Sequence, residues 1–378
     1  NHANNSSSPS SCSAKGGKIL MTSMQRSQEE KTYFYLNNLL NIPVDGKIPL
    51  NYDQQALQAF FKEEVQPKTK KFSTITDKLT YLTENDYLDK KVLKLYPLSF
   101  IENLFKRVYQ KHFRFRSFMG AYKFYAQYAM KTNDQTEFLE SFSDRVVYNA
   151  LYLAKGDQQL AAEIATELIS QRFQPATPTF LNAGKKRRGE MVSCYLLDVA
   201  DSMLSIGRAV NSALQLSRLG GGVGINLSNL RGAGEPIKKI KNAASGVVPV
   251  MKLFEDSFSY SNQLGQRNGA GAVYLSVFHP DILQFLATKR ENADEKIRVK
   301  TLSLGLVVPD KYYQLIKTNQ PMYLFSPYDV QHFYHQPFAY FDLTKNYDQL
   351  VADPRIHKKV INARELEQEI SRLQQESG

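Results

Sequence analysis

The sequence predicts an α/β protein with a helical N-terminal part, and two observations predict it. Up to about residue 175, apolar residues recur at three- and four-residue spacing, the period of a helix with one buried face. After Pro178, short apolar runs alternate with helical segments. That order implies right-handed crossovers and a parallel sheet, here of five strands. The 378 residues suffice for two or three domains. The expected division is a tail over 1–30, a helical domain over 31–175 and an α/β domain over 176–378.

Residues 1–30 are rich in Asn, Ser, Lys and Gln and read as disordered. The chain opens on Asn, and a natural start at Met21 or Met24 behind an upstream extension is expected. This segment lacks the apolar core of a signal peptide. From 33 to 173 the runs "DQQALQAFFKEEV", "SFMGAYKFYAQYAMK" and "DRVVYNALYLAKG" carry the helical period, and Asp157 is placed to cap the helix bearing Leu160 and Ile164. The Tyr and Phe of this part are read as core. The five strands are "VSCYLLDV", "GINLSNL", "AVYLSVF", "TLSLGLVV" and "MYLFSP", with helices between them at 202–219, 244–264, 281–289 and 310–318. Each strand is apolar on both faces, as a sheet covered by helices requires, and ligands are expected at the strands' C-terminal ends. The tail "NARELEQEISRLQQESG" reads as a helix.

Composition narrows the function. Apolar residues make up 42% and charged residues 22%, ordinary for a globular protein, and no apolar run approaches the roughly 20 residues of a bilayer span. A net charge of +11 suggests an anionic partner. The basic residues are spread along the chain apart from "KKRR" at 185–188, which reads as a surface turn. They are not interleaved with aromatics on one face, which argues against a nucleic-acid binder. Two cysteines, Cys12 and Cys194, form neither a disulfide framework nor a Cys-rich metal site and fit a cytoplasmic protein. His332 and His335 lie in the aromatic "QHFYHQPF" and read as packing residues, so no metal site is expected.

The stretch "LSRLGGGVGINLSNLRGAG" (216–234) resembles a phosphate-binding loop without matching one. No Gly is followed by four residues and Gly-Lys-Ser/Thr, and the dinucleotide fingerprint lacks its third Gly, since Leu227 stands there. On its own it reads as a turn: a helix ends at Leu219, glycines cap it, and a strand begins at Val223.

Longer runs carry a resemblance. "QPATPTFLNAG", "GEMVSCYLLDVADSM", the glycine stretch, "SGVVPVMKLFEDSFSYSNQLGQRNGAG" and "NADEKIRVKTLSLG" resemble the large subunit of class I ribonucleotide reductases, with class Ib the nearest branch, from about Tyr33 to the last residue. The resemblance implies a ten-stranded α/β barrel of two five-stranded parallel halves, of which the strands above are the first. It implies reduction of ribonucleoside diphosphates to deoxyribonucleotides by a thiyl radical, with a thiol pair supplying electrons. Cys194 matches one thiol of that pair, and a thiol suits the role because its disulfide can be re-reduced. Thr177, Ser193, Cys194 and Gly222 match the substrate site. Gln266 and Arg267, in the glycine-rich loop 264–271, would face the substrate base.

Asp201, Arg231 and Lys238 match the ligands of an allosteric effector, a deoxynucleoside triphosphate or ATP with Mg; Lys238 stands where some relatives carry Arg. The implied partners are a second copy of the chain, a small (beta) subunit with a dimetal-tyrosyl radical, and a thioredoxin- or glutaredoxin-like reductant. No prosthetic group is expected in this subunit. The family's radical Cys, its Asn and Glu, and the second reducing Cys would lie beyond Gly378, and the family's ATP cone would need about a hundred more N-terminal residues. The expectation is therefore an N-terminal fragment, inactive by itself. The rival reading is a nucleotide-binding, dimerising regulatory piece without catalysis.

Overall fold

The computed structural model describes residues 31–262 and 270–377. The reading of 1–30 as a disordered tail lies outside the described residues, as do Cys12, Gln266 and Arg267. The chain divides into two compact units, Asn1–Pro175 with Ala183–Arg187, and Ala176–Asn182 with Arg188–Gly378.

The first unit is helical. Among its helices are α1 (Asn51–Phe60), α2 (Leu98–Tyr109), α3 (Phe142–Ala154) and α4 (Gln158–Ile169). Ile101, Leu104, Phe105 and Val108 fall on one side of α2 and are buried. Ser141 and Asp144 form a reciprocal capping box at the start of α3. Asp157 caps α4 by accepting the Leu160 N–H at 3.0 Å, as its position suggested. The aromatic residues do pack as core. Phe118 is fully buried against Tyr33, Phe60 and Tyr122, and Phe113 stacks on Phe142 at 4.1 Å.

The second unit opens with α5 (Thr177–Asn182), then alternates strand and helix: β1 (Cys194–Asp198), α6 (Met203–Arg218), β2 (Gly222–Asn226), α7 (Val247–Asn262), β3 (Ala270–Ser276), α8 (Ile282–Ala287), β4 (Ser303–Val307) and α9 (Asp310–Thr318). The four strands form one parallel sheet in the order β1-β2-β3-β4. The glycine stretch ends α6 in a Schellman turn. Gly220 takes φ +81°, its N–H donates to Ser217 O, and the Gly221 N–H reaches back to Leu216 O.

Two expectations need correcting. The fifth strand, β5 (Pro321–Phe325), is not in the parallel sheet. After α10 (Pro327–Tyr334) and α11 (Leu343–Ala352), it pairs antiparallel with β6 (Lys358–Asn362), which leads into α12 (Ala363–Ser377). Met322, Leu324 and Phe325 are buried, so the backbone of β5 needs partners within the protein, and the charged "KKVIN" segment supplies them. Nor, among the described residues, is the parallel sheet covered on both faces. Val223, Ile225, Val273 and Leu275 are buried under the helices, whereas Cys194, Leu196, Asp198, Ala270 and Ser303 on the opposite face are exposed. Glycine, alanine and serine at alternate positions made both faces look equally core-like in the sequence, but only one is packed here.

Candidate functional site

The open face of the sheet is ordered by its register. Cys194, Gly222 and Ala270 stand abreast on β1, β2 and β3, and Leu196, Gly224, Ala272 and Ser303 form the next row. Neighbouring strands lie about 4.8 Å apart. Cys194 is an exposed free thiol flanked by a residue with no side chain. A Cβ on Gly222 would meet only the carbonyls of Ser193 (3.7 Å) and Ala270 (3.9 Å), both ordinary contacts. Packing within the sheet therefore does not demand glycine there.

Ser193 is half-buried and its carbonyl accepts the Gly222 N–H at 2.7 Å, tying the strand before Cys194 to β2. Thr177 is exposed at the first position of α5. At the C-terminal end of β1, Asp198 accepts a hydrogen bond from the hydroxyl of Tyr340.

A second site lies past the ends of the first two strands. Asp201 follows β1 and Arg231 follows β2, and the crossover through α6 brings them together. Arg231 Nε donates to Asp201 Oδ2 at 2.6 Å, its backbone N–H donates to Asp201 Oδ1 at 3.3 Å, and Nη1 donates to Pro236 O at 2.7 Å. Both side chains are about one-fifth exposed. The guanidinium lies 4.4 Å from the centre of the Tyr328 ring, and Tyr328 in turn stacks on His332. These groups, with Ala200, Ser202 and Gln331, line a cavity of about 330 Å³.

The arrangement offers a carboxylate, a guanidinium with Nη2 uncommitted among the described residues, and a flat aromatic surface. That is the chemistry to hold a sugar hydroxyl, an anionic group and a planar ring. Asp201 is the one carboxylate among the lining residues and is paired with Arg231, so any Mg²⁺ would arrive on the phosphates of a ligand.

Sequence reasoning missed Tyr328, Gln331 and His332 in this cavity. They sit on α10, about a hundred residues beyond Arg231, in a stretch whose aromatic character pointed to packing. Lys238 is not brought in. It occupies the exposed tip of a tight turn in which Ile237 and Ile240 exchange backbone hydrogen bonds at 3.1 and 2.9 Å. Its backbone is left-handed, with φ +48°.

The segment carrying Arg231 and Lys238 is gripped from β3's far end. His279 is fully buried. Its Nδ1 accepts the Asp281 N–H at 3.0 Å, so Nε2 carries the proton and donates to Leu230 O at 2.6 Å. Burial holds this imidazole below its ordinary range. Asp281, also buried, accepts the N–H of Ala233 (2.9 and 3.1 Å) and of Val247 (3.0 Å). Burial pushes the Glu235 carboxyl up, opposed by hydrogen bonds from the Ser326 hydroxyl and the Gly232 N–H.

The chain belongs to the large-subunit family of the ribonucleotide reductases. Residues 33–113 match the family described as ribonucleotide reductase N-terminal, 114–188 its all-alpha domain and 192–378 its barrel domain. The chain is 51% identical to ribonucleoside-diphosphate reductase subunit alpha of Mycoplasma pneumoniae, covering 93% of this chain and 48% of that protein. The same subunit of Mycoplasma genitalium is also 51% identical, over 95% of this chain and 50% of its own length. That of Bacillus subtilis is 46% identical, over 94% and 51%. The chain thus spans about half the length of these relatives. Among the described residues, no helix is long and apolar enough to cross a membrane.

Proposed function

We propose that the protein containing this chain reduces ribonucleoside diphosphates to 2′-deoxyribonucleoside diphosphates as a class Ib enzyme, with Cys194 as one of two thiols that supply the electrons. The balance is simple. Two thiols give up two electrons and two hydrogens and form one disulfide, while the 2′ hydroxyl leaves as water. The radical comes from a small subunit, and a thioredoxin- or glutaredoxin-like protein reduces the disulfide. The observation that carries this reading is the exposed Cys194 thiol beside Gly222 on an uncovered sheet face, where a ribose can approach the backbone closely. Ser193 and Thr177, with Gln266 and Arg267, are the proposed substrate contacts.

The Asp201–Arg231 cavity is the proposed effector site for a deoxynucleoside triphosphate or ATP, with Lys238 reaching in only if its turn moves. In the full-length protein, Cys194→Ser should abolish steady-state deoxynucleotide formation with a dithiol reductant while leaving diphosphate affinity nearly intact. A hydroxyl keeps the shape of the thiol but cannot form the disulfide. Sustained turnover by that variant refutes the assignment.

A further inference from the structure

We propose that His279 and Asp281 are positioning residues for the effector cavity, setting the place of Arg231 without touching the ligand. The inference rests on the reading of the Asp201–Arg231 cavity as an effector site. Its own support is geometric.

Asp281 stands at the N-cap of α8, where a carboxylate ordinarily accepts an N–H from the first turn of its own helix. It makes no such bond. Both oxygens turn instead to Ala233, two residues past Arg231, and Oδ2 also takes Val247, the first residue of α7. The Val247 N–H is one of the four donors a helix leaves unpaired at its start, so Asp281 caps a helix to which it does not belong. One buried carboxylate thereby closes both ends of the 233–247 segment.

His279 adds a third hold just before Arg231, through Leu230 O. The segment is built to fit this grip. Gly246 has φ +78°, and a Cβ there would run into the Asp281 carboxylate and Ala233. A Cβ on Gly232 would approach Pro280 Cβ to 2.8 Å. Arg231 thus sits between two anchored points, Leu230 O and Ala233 N–H, which fix its backbone so that the side chain spans Asp201, Pro236 O and Tyr328. Nothing in the site's own chemistry requires a buried carboxylate at 281. The segment's position does.

The test uses the full-length protein and two probes, deoxythymidine triphosphate and a ribonucleoside diphosphate, with dissociation constants measured by equilibrium dialysis for wild type, Asp281→Asn and Arg231→Ala. Asparagine keeps the shape of Asp281 but removes its charge, and with its oxygen at the Oδ2 position its N–H₂ meets the Ala233 N–H that Oδ1 accepts at 2.9 Å, loosening the hold next to Arg231. The expected result is ~tenfold weaker triphosphate binding, the effect of replacing a charged buried acceptor next to Arg231 by a donor, with diphosphate binding within about twofold of wild type. A residue with only a structural role would weaken both ligands together or neither.

If Asp281→Asn binds triphosphate as wild type does while Arg231→Ala fails, the positioning role is wrong and the effector cavity stands. If wild-type triphosphate binding does not depend on Arg231, the reading of the cavity is wrong and the positioning role falls with it. Should Asp281→Asn not fold, hydrogen exchange in the wild type decides. The Ala233 and Val247 amides should be protected and slow further on adding triphosphate. Exchange at those amides that triphosphate leaves unchanged overturns the inference.

Discussion

Gly222 and Gly271 are near neighbours on adjacent parallel strands, yet they face opposite sides of the sheet and are glycine for opposite reasons. Gly271 lies on the buried face, where a Cβ would collide with the ring of Phe258 on α7. Its smallness is required by the helix packed above it. Gly222 lies on the open face beside Cys194, and a Cβ there would meet nothing closer than two carbonyl oxygens at ordinary contact distance. The fold does not account for its smallness. The comparison extends to the whole sheet: one face is filled for stability by Val223, Ile225, Val273 and Leu275, and the other carries the thiol and the space beside it. A substitution should therefore report on folding or on chemistry according to the face it alters.

Truncating the packed face gives the largest stability effect. Ile225→Ala, at a fully buried position, should cost about 2–5 kcal/mol in chemical denaturation. Gly271→Ala should cost about 1–3 kcal/mol, because the Phe258 ring must shift to admit the methyl group. On the other face, Gly222→Ala should change stability by no more than ~0.5 kcal/mol while raising KM for the diphosphate ~tenfold in the full-length enzyme, by displacing the ribose from Cys194. A Gly222→Ala variant that is unstable but kinetically normal would break the contrast.

The smallest effect concerns pH. Burial depresses the pKa of His279, with Asp281 and Asp201 favouring its charge and Lys359 opposing it. The folded state thus prefers the neutral ring. The associated stability is present above the unfolded value of about 6.5 and is lost as pH falls through the folded value. Thermal unfolding followed from pH 8 to pH 5 should show this decline, and His279→Gln should flatten it.

Much of this was legible in the sequence. The four parallel strands and their helices stand within a few residues of where the apolar runs put them, because each strand is bounded by a turn or cap with local chemistry. The partner of β5 was not legible, since Lys358–Asn362 is charged and its pairing depends on a strand more than thirty residues earlier. The open face was hidden for a different reason: alternation of Gly, Ala and Ser with Val and Leu does not say which side a helix will cover. Asp201 and Arg231 were found through resemblance, and their pairing then followed from the crossover. Tyr328 and His332 joined them through a tertiary contact that no local pattern encodes. His279 and Asp281 looked like the start of a short helix, and only the hydrogen bonds to Leu230, Ala233 and Val247 give them another role.

The central claim is that Cys194 is oxidised as substrate is reduced. It is tested most directly by a single turnover of the full-length protein with the proposed radical-generating small subunit, effector and a ribonucleoside diphosphate, in the absence of any reductant. Free thiols are then alkylated and the peptide bearing Cys194 is analysed by mass spectrometry. The account predicts that Cys194 resists alkylation in proportion to the deoxynucleotide formed, that it is found in a disulfide with a second cysteine, and that a dithiol restores it. Deoxynucleotide formed in one turnover while Cys194 remains a fully alkylatable thiol would contradict the account.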